Sequence, residues 1–137
     1  MRRKILELLK SNDGFISGQK ISEECGVSRT SIWKYINSLK EDGYVIESVS
    51  RNGYKLISCP DLLTYEEVNE FLDTKYIGKE IIYFDSIGST NNYAKDIAKD
   101  QGEGTVVTAE QQTLGKGRLG RNWVSPSKKG IYFSIIL

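Results

Sequence analysis

The chain has 137 residues, 39% of them apolar, 27% charged and 10% aromatic, so a packed core is expected and disorder or a fibrous repeat is excluded. No apolar run approaches the ~18 residues of a membrane helix. Met1-Arg2-Arg3-Lys4 opens an amphipathic segment rather than a signal sequence, so a soluble, cytoplasmic protein with no membrane partner is expected. Histidine is absent, which removes Ser-His-Asp and Cys-His catalysis and any imidazole-bound metal; no metal site is expected. Cys25 and Cys59 are isolated, with no C-x-x-C spacing, and read as buried small hydrophobes in a reducing compartment.

The net charge of +1 is unevenly spread. Residues 1–58 carry ten Lys/Arg against seven Asp/Glu, and residues 59–137 nine against eleven. Within that acidic part, Gly115–Gly130 holds Lys116, Arg118, Arg121, Lys128 and Lys129 and no acid. A cationic island in an acidic surround points to a small anionic ligand, whereas a diffuse excess points to a polyanion.

Along the chain, Ile5, Leu6, Leu8 and Leu9 share one face of a first helix that Ser11-Asn12-Asp13-Gly14 stops. A short second helix follows Ser17-Gly18, with Ile21 and Cys25 four apart. Gly26-Val27 turns the chain, and Ser28 caps a third helix whose Ile32, Ile36 and Leu39 face a core. Its other side carries Arg29, Thr30, Trp33, Lys34 and Asn37. Tyr44–Ser48 and Gly53–Ile57 are β-rich runs joined through Arg51-Asn52-Gly53, and Asn-Gly is a strong hairpin signal. Three helices and a hairpin make a winged helix-turn-helix over residues 1–58, and Leu39–Tyr44 resembles the helix-to-wing junction of bacterial winged-helix repressors. A protein-interaction module is the competing reading. The hydroxyls and cations at the start of the third helix favour DNA, with Ser28, Arg29, Thr30, Trp33 and Lys34 as groove contacts and Arg51 on the wing reaching backbone or minor groove.

Residues 59–63 read as a linker, broken by Pro60, and residues 64–137 as a second domain. Thr64-Tyr65-Glu66-Glu67 has the form of a capping box for a helix through Leu72. Ile81–Phe84 reads as a strand, and Asp85–Asn91 as a polar loop. A helix follows with Tyr93, Ala94, Ile97 and Ala98 on one face. Thr105–Ala109 and Gly130–Leu137 read as further strands, so the class is α+β or α/β.

Gly115-Lys116-Gly117-Arg118-Leu119-Gly120-Arg121 matches G-x-G-x-x-G formally, but a dinucleotide loop must open a helix, and Asn122-Trp123-Val124-Ser125-Pro126 cannot. No G-K-[ST] closes it, so it is not a Walker A loop. Three glycines admit close backbone approach and the interleaved cations neutralise charge, which together describe a phosphate or carboxylate clamp; the competing reading is a flexible basic surface loop.

Ser89-Thr90-Asn91, Ala109-Glu110-Gln111-Gln112 and Gly115–Trp123 followed by Ser125-Pro126 resemble the biotin protein ligases. The winged helix in front resembles the bifunctional members of that family that are also biotin operon repressors, the BirA type. The resemblance implies an α+β chain, with the winged helix followed by an incomplete mixed-sheet, class II synthetase-like ligase domain. It implies ATP with Mg2+ and biotin as substrates, biotinyl-5′-AMP as intermediate, and a lysine of biotin carboxyl carrier protein as acceptor. It further implies biotin operator DNA as partner and a homodimer when biotinyl-AMP is bound. By this resemblance, Ser89, Thr90, Asn91, Gln112, Lys116, Gly117 and Arg118 line the biotin site. Gly115, Lys116, Gly117, Arg118 and Trp123 contact the nucleotide, and Lys116, Arg118 and Arg121 act in catalysis. Position 116 departs from the family in carrying Lys where many relatives have Arg, which keeps the charge and loses the two-pronged donor.

The sequence stops inside an apolar strand, and the resemblance implies a lysine at the biotin carboxylate, much of the adenine site and a small further domain beyond Leu137. The expectation is that these 137 residues alone are not catalytic and that Ile131, Phe133, Ile135 and Ile136 are left uncovered. Three readings stay open: a ligase-repressor, a ligand-sensing winged-helix repressor without ligase activity, and a bare DNA-binding module.

Overall fold

Nine residues of alternating charge and aliphatic character form the first helix, and the periodicity decides which side is covered. The computed structural model describes residues 1–137. In α1 (Arg2–Lys10), Ile5, Leu6 and Leu9 are buried and Leu8 half-buried. α2 (Gly18–Cys25) is capped by Ser17, whose Oγ accepts the Lys20 N–H at 3.1 Å, and buries Ile21 and Cys25. α3 (Arg29–Glu41) begins under Ser28, whose Oγ accepts the Ser31 N–H at 3.2 Å; such a cap contributes about 1 kcal/mol. Ile32, Ile36 and Leu39 of α3 close the core with Ile16, Tyr44 and Ile46.

The wing is the antiparallel pair β1 (Val45–Val49) and β2 (Gly53–Ser58). Its turn sits one residue earlier than the Asn-Gly signal suggests. Asn52 N–H donates to Val49 O at 3.2 Å, and Arg51, not Asn52, takes the positive φ of 69°. The shift has a physical cause in Gly53, which starts β2 with φ 100°. A Cβ there would stand 2.1 Å from Ile16 O, because Ile16 and Tyr54 exchange two backbone hydrogen bonds of 2.9 Å that fasten the wing to the segment before α2.

The chain divides into two compact units, Met1–Asp61 and Leu62–Leu137. Cys25 is buried as expected, but Cys59 is exposed, since it follows the last wing strand where nothing covers it.

In the second unit the capping box does not form. α4 is only Tyr65–Val68, continued by a 3-10 turn over Asn69–Phe71, and Thr64 makes no side-chain cap; its Oγ1 is buried without a hydrogen-bond partner. One turn of helix gives too little backbone order to hold the reciprocal side-chain pair. The sheet runs β3 (Ile81–Ile87), β4 (Val106–Gln112) and β5 (Tyr132–Ile135), with β4 in the centre. Asp85–Ile87, expected in a loop, belong to β3, because parallel pairing of Ser86 with Gln111 and Ile87 with Gln112 carries both strands further than their apolar stretches. α5 (Thr90–Ile97) makes the crossover that parallel pairing requires. It stops at Ile97, leaving Ala98 exposed rather than packed.

The core of this unit is small. Ala94, Val107 and Ile136 are buried among Phe84, Tyr93 and Ile97, with the Phe84 and Tyr93 rings edge to face at 4.8 Å. Ile131, Phe133 and Ile135 are exposed, but Ile136 is buried: its N–H donates to Thr105 O at 2.9 Å and its side chain turns into this core. The fold class is α+β, a winged helix followed by a mixed sheet. No helix is long and apolar enough to cross a membrane.

Candidate functional site

In the first unit, α3 presents Arg29, Thr30, Trp33 and Lys34 to solvent, while Ser28 caps the helix and Arg51 tops the wing, also exposed. Trp33 is 58% exposed beside these polar and cationic groups. With no acid between Arg29 and Lys40 on α3, the exposed face is cationic.

In the second unit, the glycine-rich stretch is a hydrogen-bonded hairpin rather than a loose loop. Trp123 N–H donates to Gly115 O at 2.8 Å and Gly117 N–H to Arg121 O at 2.7 Å, and Arg118–Gly120 make a 3-10 turn at the tip. Gly115 is where the two limbs close: a Cβ there would stand 2.4 Å from Trp123 O and 2.7 Å from Ser125 Oγ. Leu119 holds a left-handed φ of 59° at 94% exposure, so the tip carries local strain.

A directed hydrogen-bond chain joins this hairpin to α5 and the sheet. Gln112 Oε1 accepts from Thr90 N–H at 2.9 Å and from Thr90 Oγ1 at 3.2 Å. The single hydroxyl proton of Thr90 is thereby used, so Ser134 Oγ, 2.9 Å away, donates to Thr90. On the other side, Gln112 Nε2 donates to Ser125 Oγ at 3.1 Å, and Ser125 donates on to Trp123 O at 3.3 Å. Gln112 N–H also donates to Ser125 O at 3.0 Å. Thr90 and Ser125 are buried. One N–H of the Gln112 amide is left for a ligand, and its oxygen is fully used.

Of the residues expected at the ligand site, the structure therefore brings together Thr90, Gln112 and Gly115. Lys116 reaches α5 through Asn92, its Nζ donating to Asn92 Oδ1 at 3.3 Å. Ser89 is buried, with its Oγ taken up in capping α5 through Asn92 N–H at 3.3 Å. Asn91 is exposed on the first turn of α5, and Asn92 rather than Asn91 meets the hairpin. Arg118, Arg121 and the Trp123 ring are exposed on the hairpin, and Gly117 lies within it. Sequence reading missed Asn92, Ser125 and Ser134. Ser125 had a signal, standing beside Pro126 where a buried hydroxyl can replace a strand hydrogen bond; Ser134, inside an apolar run, had none. No cluster of three or more acidic or cysteine side chains that could hold a metal is present.

Residues 1–55 match the model of an HTH domain, and residues 83–137 that of the Biotin/lipoate A/B protein ligase family. Over nearly all of its length the chain is similar to proteins named bifunctional ligase/repressors. It is 43% identical over 139 residues to the Bifunctional ligase/repressor BirA of Bacillus spizizenii, a match that covers 100% of this chain and 43% of that protein. It is 34% identical over 132 residues to the protein of the same name in Escherichia coli, covering 96% of this chain and 40% of the relative. The chain thus spans less than half the length of the curated relatives it matches. A solved biotin protein ligase from Aquifex aeolicus in complex with biotin and ATP is similar over 43% of this chain and 24% of its own, at 39% identity and a TM-score of 0.39, too slight a likeness in shape to argue from.

Proposed function

We propose that this chain supplies the operator-binding domain and the biotin-facing half of the active site of a cytoplasmic biotin protein ligase that is also a repressor. The reaction activates biotin with ATP: a biotin carboxylate oxygen attacks the α-phosphorus and pyrophosphate leaves. The ε-amine of a carrier-protein lysine then attacks the acyl carbon of biotinyl-AMP and AMP leaves. The observation that carries this reading is the Thr90–Gln112–Ser125 chain at the base of the cationic Gly115–Trp123 hairpin. It provides buried polar anchors for a neutral ring and, beside them, cations for the carboxylate and phosphate.

In this reading Ser89, Thr90, Asn91 and Gln112 bind the ureido end of biotin, Gln112 through its one remaining N–H. Lys116, Gly117 and Arg118 clamp the carboxylate and α-phosphate, with Arg121 beside them, and Gly115 and Trp123 complete the nucleotide contact. Two anions must approach in the first step, so cations and N–H donors aimed at the developing charge supply most of the rate, and no histidine is required. Mg2+ would arrive on the ATP triphosphate, since the donor set near the hairpin is cationic and amide rather than carboxylate. Closure of the hairpin over biotinyl-AMP would keep water from the mixed anhydride and would couple the ligand to dimerisation and operator binding.

The test joins this chain to the remaining residues of the Bacillus spizizenii relative. That chimaera is expected to biotinylate a carrier protein, and Arg118→Ala to release biotinyl-AMP about tenfold to a hundredfold faster, followed by tryptophan fluorescence, as loss of one charge-assisted contact requires. An unchanged off-rate removes Arg118 from the site, and biotin-dependent DNA binding without adenylate formation leaves a sensor rather than a ligase. For the repressor half, Arg29→Ala with Lys34→Ala is expected to lower operator affinity; unchanged affinity would put DNA on another face.

A further inference from the structure

The wing and the two helices beside it enclose a cleft that the helical face alone does not explain. It has a volume of about 320 Å3 and is lined by Ser17 and Gly18 at the start of α2, Arg29 at the start of α3, and Ser50, Arg51 and Tyr54 of the wing. No carboxylate lines it, and neither guanidinium is in an ion pair. A Cβ built on Gly18 would lie 3.6 Å from Tyr54 Cε2 and 3.7 Å from Arg29 Nε, so the Arg29 side chain lies beside the first turn of α2 with space for about one methyl group between them.

We infer that this cleft is a preformed seat for one backbone phosphodiester of duplex DNA, held between Arg29 of the recognition helix and Arg51 of the wing. The inference rests on the DNA-binding reading above and changes the role of Arg29 from reading bases to fixing register.

Three observations support the seat. Its walls are fastened before any ligand arrives: the paired Ile16–Tyr54 hydrogen bonds and the Gly53 close approach hold the wing against the start of α2. Arg51 keeps a left-handed backbone that glycine or asparagine would adopt more easily, and such a conformation at a turn apex indicates that the side chain, not the turn, accounts for the residue. The polar side chains on the walls can all donate to an anion, two planar guanidiniums together with serine and tyrosine hydroxyls, and planar forks bind phosphate oxygens pairwise.

Phosphate contacts and base contacts respond differently to salt and to sequence, which makes the seat testable with a random-sequence 30-base-pair duplex as probe. Binding is measured against KCl concentration for the full chain, for Arg29→Gln, for Arg51→Gln and for Arg51→Gly. Each variant is expected to lower the slope of log K against log salt by about 0.9 and to weaken binding to random and to selected duplexes equally. Arg51→Gly should do so while its thermal midpoint stays level or rises, because it relieves the backbone; a loss of binding that tracks a falling midpoint would overturn the seat. Unchanged slopes in a chain that still binds duplex would overturn the seat and leave DNA binding standing, whereas a wild-type chain that binds no duplex would remove both. Inorganic phosphate, titrated separately against the Gly18 and Arg51 amide signals, is expected to bind weakly and to be displaced by the duplex. Saturation that the duplex does not displace would assign the cleft to a free anion instead.

Discussion

The two units bury their residues in opposite ways. Of the eight large side chains that are fully buried, seven belong to Met1–Asp61, and Val107 alone to Leu62–Leu137. In the first unit the residues that hold the fold and those offered to a partner are different sets: Ile32, Ile36 and Leu39 face inward while Arg29, Thr30, Trp33 and Lys34 face out along the same helix. In the second, the polar residues expected to meet biotin are themselves the links between α5, β4, β5 and the hairpin. Stability and recognition are separable in one and shared in the other.

The largest effect should come from Gly53→Ala. Its Cβ would fall 2.1 Å from a backbone oxygen at a φ of 100°, and neither the strand nor Ile16 can move without breaking the two hydrogen bonds between them. A loss on the order of 3–4 kcal/mol is expected, read by urea unfolding followed on amide signals of residues 1–61. A variant losing less than about 1 kcal/mol would mean that the wing is not fastened to this core.

The next step sets the two units side by side. Ile36→Ala removes a fully buried side chain and should cost about 3 kcal/mol, whereas Ile135→Ala, at a position 37% exposed, should cost about 1 kcal/mol or less. Equal costs in the same urea titration would erase the contrast. Hydrogen exchange should show the same order, with amides of α1 and α3 more protected than those of β5.

How far this contrast was readable from residues follows the range of the interactions. Every helix of the first unit and its inward face follow from spacings of three and four, and the cap of α3 from Ser28, all local in sequence. The position of the wing turn was misread there because of a long-range contact between Gly53 and Ile16, and Cys59 because nothing covers the chain after the last wing strand. In the second unit, strand positions were legible as apolar stretches, but their ends were not: β3 and β4 run on through Asp85, Ser86, Gln111 and Gln112 because they pair with each other. The same holds for the candidate site. Thr90, Gln112 and Gly115 were found through a motif, while Ser134, 44 positions from Thr90, could be found only by folding the sheet.

Shared roles predict an intermediate effect at Gln112. Gln112→Leu keeps the bulk, removes the acceptor from Thr90 and the donor from Ser125, and leaves buried Thr90 N–H without a partner, so a loss of about 2 kcal/mol is expected. Gln112→Glu keeps the acceptor and should lose less. If Gln112→Leu leaves the urea midpoint unchanged, the amide serves ligand binding alone and the second unit separates its roles as the first does.

The smallest effect belongs to Lys116→Arg. Lys116 is exposed and its one polar contact within the chain is a 3.3 Å hydrogen bond to Asn92 Oδ1, so the fold should register a change of less than about 0.5 kcal/mol in either direction. A planar fork in place of a point charge should matter only to an anion with two oxygens to offer. In the chimaera used to assay the ligase, the variant is therefore expected to hold biotinyl-AMP severalfold longer while the unfolding midpoint stays where it was. A shifted midpoint with an unchanged off-rate would assign Lys116 to the fold, through Asn92, and would leave the hairpin's anion clamp to Arg118 and Arg121.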